Sequence, residues 1–394
     1  MEISFRSLAF ASKIVVAIFV AYALSRNLTS SIKTTKTKEG ISTSNFTNAS
    51  RLSSGHWEYV DRVADTFPPY TYDHNVCMAT ALHQGDCNKT SNYCRSNLMN
   101  WNYIGKDNEP YPRFDVDGFR RKMRNTRIVF IGPSMIRQSV QSLVWALGFK
   151  NIAWNTTGKD GCSATRMCVN DVKSNITICY QFMGSMATKI YHEGIYTLNH
   201  SLRGFGDSSC LLHDESIAEL NEFDVVFVQE VAWWTNLHNL LDSPTSPSEW
   251  VQKMVPTMYY DAMKVLLSKI SQQTKTVFVL GQTGIPPCVN KTGPELFSID
   301  KLPTKFGWNL APKLWDTALA LIQDEGLNVQ VIDAREPLMQ SVHAHPSQLS
   351  NRDCLHFCMN SAAVNIYIDM YWNEVFSSYH PKHLNSSKTK VENS

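Results

Sequence analysis

The sequence has no charge of one sign to spare. Its 37 Lys and Arg nearly balance 35 Asp and Glu, a formal net charge of +2. It therefore offers neither the basic surface that a nucleic acid would need nor an acidic tail. It has no Cys-x-x-Cys pair. The spacing of Cys354 and Cys358 around His356 would suit two zinc ligands, but nothing of the usual spacing completes such a site. No metal is expected. No internal repeat is seen.

What remains is ordinary globular material, with 18% charged and 43% apolar residues. A chain of 394 residues can bury one large core or two modest ones. Ten tryptophans and fifteen tyrosines suit a surface that stacks on flat ligands such as sugar rings, although most of them are expected in the core.

The N-terminus carries a targeting signal. Arg6 and Lys13 precede the apolar run from Ile14 to Leu24. A spanning helix needs about 20 apolar residues and a signal-peptide core about 7–15. Ala21-Tyr22-Ala23 resembles a cleavage site, yet Lys13 can snorkel to the cytosolic face and favours a retained anchor. Both readings deliver the rest of the chain to the secretory lumen. Nine Asn-x-Ser/Thr sequons agree, at Asn27, Asn45, Asn48, Asn88, Asn155, Asn175, Asn199, Asn290 and Asn385. All ten cysteines also lie beyond the leader, and an even number in an oxidising compartment reads as disulfides.

These signals divide the chain into an anchor at residues 1–26, a polar, glycosylated stem at 27–54, a globular domain at 55–380 and a loose tail at 381–394. The stem has too few large apolar residues to offset its ordering entropy. Within the globular domain, residues 55–102 are cysteine-rich and aperiodic, and are expected to form an irregular, disulfide-held cap. Beyond them, apolar runs at 127–132, 224–230, 276–281 and 329–333 read as buried strands. They alternate with helical periodicity at 135–147, 248–273, 308–324 and 362–378. This rhythm predicts an α/β fold with a doubly wound, mostly parallel sheet.

In such a sheet, ligands bind outside the carboxyl ends of the strands. Gly132-Pro133-Ser134 ends the first strand and opens a helix. Ser134 can be a plain helix cap, or a nucleophile exposed at a turn beside helix N-terminal amides. A nucleophilic serine needs a base, for which histidine is best tuned, and the histidine needs a carboxylate to hold its tautomer. Asp353-Cys354-Leu355-His356 can supply both from one short turn. It can equally be a surface turn with an incidental histidine.

Taken together, several blocks resemble the plant trichome birefringence-like proteins, a branch of the PC-esterase group with an SGNH-hydrolase-like fold. Ser134 and Arg137 in FIGPSMIRQSVQSLVWAL are similar to its GDS block. Gly55-x-Trp57 and Pro112-Arg113-Phe114-Asp115 look like its leading blocks, and Trp233-Trp234 like its paired tryptophans. His345-Pro346-Ser347 and Asp353-Cys354-x-His356-x-Cys358 look like its closing block. Three positions depart from the pattern. Pro133 replaces the GDS aspartate, Gln138 replaces an asparagine, and Gln229-Glu230-Val231 stands where the family has an Asn-x-Gly that can stabilise an oxyanion.

The resemblance implies a single-pass type II Golgi membrane enzyme that moves O-acetyl groups onto polysaccharide hydroxyls. It implies an acetyl-Ser134 intermediate, His356 as base, Asp353 as its orienting partner, and Arg137, Trp233 and Trp234 as substrate contacts. No tightly bound cofactor is implied; acetyl-CoA or an acetylated intermediate would be the co-substrate, and an oligosaccharide or polysaccharide the acceptor. An esterase with the same triad is the nearest alternative, and a catalytically silent glycan-binding protein the alternative from another class.

Overall fold

The structure, a computed structural model, describes residues 55–60, 101–149, 166–182, 218–231, 234–235, 249–281, 294–295, 302, 305–345, 354–358 and 361–380. The segments expected to form the anchor, the stem and the tail, and most of the expected cysteine-rich cap, lie outside them. No helix among the described residues is long and apolar enough to cross a membrane.

Two short strands open the domain, β1 (His56–Tyr59) and β2 (Trp101–Ile104). They pair antiparallel, with His56 opposite Ile104. The two ends of the segment expected to be irregular are thus held in regular ladder geometry. Gly55 sits so close to Ile104 O and the Tyr103 ring that a Cβ would lie 2.5 Å and 2.6 Å from them. Trp57 Nε1 donates to Pro337 O at 2.8 Å, and Gln340 Nε2 donates to Gly55 O at 2.9 Å. The Gly55-x-Trp57 block therefore fastens this hairpin to the helix near residue 337.

After α1 (Val116–Lys122), capped by Asp115, the main sheet begins. Its strands are β3 (Arg127–Gly132), β4 (Met167–Asp171), β5 (Ile176–Phe182), β6 (Val225–Val228), β7 (Lys275–Leu280) and β8 (Val329–Asp333). The spatial order is β4-β5-β3-β6-β7-β8. Every pairing is parallel except that of the edge strand β4 with β5. Leaving out that edge, the parallel strands run 2-1-3-4-5 in chain order. This order is doubly wound, with its topological switch between β3 and β6.

Strand residues alternate between two cores, as a pleated sheet requires. Ile128, Phe130, Phe227, Val277 and Val279 face one core, shared with α2 (Ser134–Ala146) and α6 (Ala362–Met370). Val129, Ile131, Val226, Val228, Phe278 and Leu280 face the other. That second core is shared with α3 (Glu249–Ile270) and α4 (Ala311–Asp324). Both faces being covered is why these strands read as unbroken apolar runs. The short α5 (Arg335–Met339) follows β8.

The Pro112–Asp115 block ties the start of the domain to α6. Arg113 Nη1 donates to Asp369 Oδ2 at 3.1 Å, and the Phe114 amide donates to Asp369 Oδ1 at 2.8 Å. The helix expected over 362–378 is α-helical only to Met370. It then widens into a π-helical segment, Tyr371–Phe376, whose Tyr371 hydroxyl lies 2.9 Å from Ser139 Oγ of α2.

Candidate active site

The turn that leads into Ser134 is forced by its glycine. Gly132 has φ +145°, and a Cβ there would lie 2.1 Å from Gln229 O. Only glycine lets β3 end this close to β6 while turning into a helix. Pro133 follows as the N-cap, with φ −75° and no side-chain cap bond. The Tyr180 hydroxyl, at the end of β5, donates toward Gly132 O at 3.2 Å and Pro133 O at 3.4 Å. Proline here holds the extended φ that a helix entry needs, and the tyrosine holds its carbonyls.

Ser134 is the first residue of α2 and is half-buried. Backbone bonding within the helix begins only with the Arg137 amide, which donates to Pro133 O at 3.4 Å. The amides of Ser134, Met135 and Ile136 thus lie in the first turn, where helix geometry provides no acceptor. These donors and the helix dipole favour negative charge beside Ser134.

Ser134 Oγ is 2.5 Å from His356 Nε2, across 222 positions of sequence. With the hydroxyl donating, Nε2 is the unprotonated nitrogen, which is the arrangement of a nucleophile and its base. His356 is buried. Cys354 and Cys358 on either side of it are both disulfide-bonded, so the closing segment is covalently held. Asp353 lies outside the described residues, as does Trp233.

Arg137 and Trp234 are both buried. Arg137 is 7% exposed. Burial pulls its guanidinium below its ordinary value, and neighbouring Tyr180 opposes that shift. Trp234 is fully buried in the core shared with α3, edge-on to Tyr259 with ring centroids 5.4 Å apart. Its indole fills that core and presents no face to a sugar ring. The cause is local: Val231 and Trp234 both belong to this second core.

The segment standing for Asn-x-Gly is also committed elsewhere. The Gln229 amide nitrogen donates to the Tyr367 hydroxyl at 3.2 Å. It lies so near Gly281 that a Cβ there would meet it at 1.9 Å. Glu230 is completely buried, and among the described residues neither carboxyl oxygen has a hydrogen-bond partner. Burial pushes its carboxyl well above the usual carboxylate range. The Gln229 side chain is thus turned to Tyr367. No cluster of metal-ligating side chains occurs among the described residues.

A strand-to-helix serine bonded to a distant histidine at the switch of a 2-1-3-4-5 sheet agrees with the family comparison. The model of the PC-Esterase family, described as a GDSL/SGNH-like acyl-esterase family found in Pmr5 and Cas1p, matches residues 111–282. Residues 111–282 thus resemble a PC-esterase domain. The matched region takes in Ser134, Arg137, Trp233 and Trp234, while His356 lies beyond it and is brought to Ser134 by the fold. No curated protein matches the chain. Among solved structures, a candidate GDSL-like lipase from Parabacteroides merdae is similar at 12% identity and a TM-score of 0.34. The alignment covers 64% of this chain and 95% of that one. A dimerization-deficient mutant of Toc33 from Arabidopsis thaliana is similar at 12% identity and a TM-score of 0.26, over 66% of this chain and 91% of that one. The architecture of the domain rests on its own strand pairing.

Sequence reasoning did not single out Tyr180, or the contacts of Gln138 and His345 around the histidine. Tyr180 closes a run, Ile176 to Phe182, that alternates imperfectly. Gln138 carried one signal, its spacing of four from Ser134, which puts both on one face of a helix.

Proposed function

We propose that this protein transfers acyl groups, in particular acetyl, onto hydroxyls of a polysaccharide or glycan through an acyl-Ser134 intermediate in the Golgi lumen. The contact that carries the reading is Ser134 Oγ to His356 Nε2 at 2.5 Å, at the strand end where a doubly wound sheet binds its ligands.

In the first half-reaction, Ser134 Oγ attacks the acyl carbonyl carbon as its proton passes to His356 Nε2. The carbonyl becomes an oxyanion facing the α2 amides. Collapse breaks the bond to the donor's leaving group, which takes the proton from His356. In the second, an acceptor hydroxyl gives its proton to His356 and attacks the acyl-serine. Ser134 leaves and recovers a proton from His356. Asp353 is proposed to hold the other ring nitrogen and stabilise the imidazolium. The donor is acetyl-CoA or an acetylated intermediate, and no resident cofactor takes part. Water in place of the sugar hydroxyl would make the same site an esterase, so the difference lies in what the site excludes.

The test is incubation of the purified luminal domain with a labelled acetyl donor, followed by mapping of the adduct. Label on Ser134 that moves to an added oligosaccharide supports the transferase. Label released only to water selects the esterase. A folded domain that never labels, yet binds oligosaccharide, would leave a glycan-binding protein.

A further inference from the structure

Gln138 lies one helical turn after Ser134 on α2, and its side chain grips the backbone of the residue that follows the histidine. Its Nε2 donates to Phe357 O at 2.7 Å, and its Oε1 accepts from the Phe357 amide at 3.1 Å. Both ends of one amide are thus used on one residue. Gln138 is buried, 2% exposed, and Phe357 is fully buried, so no solvent competes for these groups. In a buried setting, losing either partner leaves a backbone group unsatisfied.

The same peptide is held from its other side. The carbonyl of His356 faces His345 Nδ1 at 2.7 Å. A carbonyl only accepts, so Nδ1 of His345 carries the proton. The His345 ring also stacks on Phe357, with centroids 4.5 Å apart, and the Cys358 amide donates to Ala344 O at 2.8 Å. The backbone from His356 to Cys358 is therefore fixed at four polar atoms. Two of the four are fixed by the helix that begins with the nucleophile.

We infer that Gln138 is a positioning residue that sets the distance and angle between Ser134 and His356. The inference rests on the serine–histidine reading above. Apolar packing between two segments 222 positions apart tolerates small slides. A displacement of about 1 Å between reacting groups can cost on the order of 10²-fold in rate. A two-bond amide clamp rooted on α2 makes the base travel with the nucleophile. Glutamine suits this where a carboxylate does not, because one end must donate and the other accept.

The experiment measures inactivation by a fluorophosphonate, a probe that reports an activated serine whatever the natural donor, in wild type and in Gln138→Leu, Gln138→Glu and Gln138→Asn. Gln138→Leu should lower kinact roughly 10- to 100-fold with little change in KI. Gln138→Glu should depend on pH. Protonated, the carboxyl can still donate to Phe357 O and accept from its amide. Ionised, it faces a carbonyl oxygen, so the rate relative to wild type should fall as pH rises. Gln138→Asn keeps both functions on a shorter arm and should recover part of the loss. A variant that merely loosens the fold would lower thermal stability without a pH-dependent kinact. If folded Gln138→Leu and Gln138→Glu both label at the wild-type rate across pH, the inference is overturned while the serine site stands. If wild type and Ser134→Ala label alike, the serine reading itself fails and the inference falls with it.

Discussion

At the scale of single residues, the site joins a serine made reachable by glycine to a histidine made rigid by its surroundings. Ser134→Ala deletes the attacking oxygen and should abolish covalent labelling. His356→Ala should slow acyl transfer by at least roughly 10³-fold, since members of a catalytic unit are not additive. Asp353→Asn should be comparably damaging if that carboxylate sets the tautomer of His356, and mild if it only caps the turn. Rates on the labelled donor decide among these, and labelling that survives Ser134→Ala in folded protein would end the serine-enzyme reading. Glu230 makes a separate prediction, about stability. Burial holds its carboxyl well above the usual range, whereas the unfolded chain releases that proton near pH 4.3. The folded state therefore binds more protons. The stability this gives is fully present below the unfolded value and is lost as pH rises toward the raised folded value. Glu230→Gln removes the titration, so the variant should be more stable than wild type at pH 7, with the gap closing as pH falls toward 4. Each kcal/mol recovered should raise the thermal midpoint by about 2–4 °C. A gap that does not change with pH would contradict the buried acid. Tyr180 and Tyr259, the charge-coupled neighbours, are themselves raised by burial and stay neutral over that range.

At the scale of elements, the closing segment depends on covalent as well as hydrogen-bonded restraint. Cys354→Ser or Cys358→Ser breaks a disulfide beside His356, and loss of a native bridge typically costs about 2–5 kcal/mol. Secreted yield and the rate of Ser134 labelling should drop together, and full activity at normal yield would show that these thiols are not structural. The strands that the sequence made legible are those buried on both faces. Arg127–Gly132 and Val329–Asp333 have the predicted limits, and β6 and β7 differ by one or two residues. The β4–β5 hairpin was not legible. Its edge strand alternates between half-buried and exposed positions until the buried Asp171, and the hairpin's polar residues include Asn170, Asp171 and Thr177. A disulfide between Cys168 and Cys179 joins these paired strands, and no hydrophobic period announces such a bond. Ser134 was legible because Gly-Pro-Ser interrupts an apolar run at a strand end. The pairing with His356 needed the family resemblance, since a contact across 222 positions leaves no local mark. Trp234 lies in the second core, and a tryptophan's large apolar area is as useful there as on a sugar platform.

At the scale of the whole molecule, the sheet separates chemistry from covering. Ser134 lies past the carboxyl end of β3. Asn175 lies just before β5, which runs parallel to β3 with Thr177 opposite Arg127. The serine and the sequon therefore lie at opposite strand ends of the sheet. Asn175 is exposed, sits in the β4–β5 turn with φ 53°, and its Nδ2 donates to Asn125 Oδ1 at 3.1 Å. It is the sequon that falls among the described residues. Val172, 85% exposed in the same turn, is apolar surface that a glycan there would shield. In the luminal reading, Asn175 carries a glycan that cannot obstruct the serine end. Removing N-glycans enzymatically should lower the apparent mass in several steps, and Asn175→Asp should remove one of them. Aspartate is the substitution of choice because, like asparagine, it tolerates positive φ. Labelling at Ser134 should be unchanged in that variant. A loss of labelling would mean that the hairpin edge communicates with the site, and no mass shift in the wild-type protein would sink the luminal assignment.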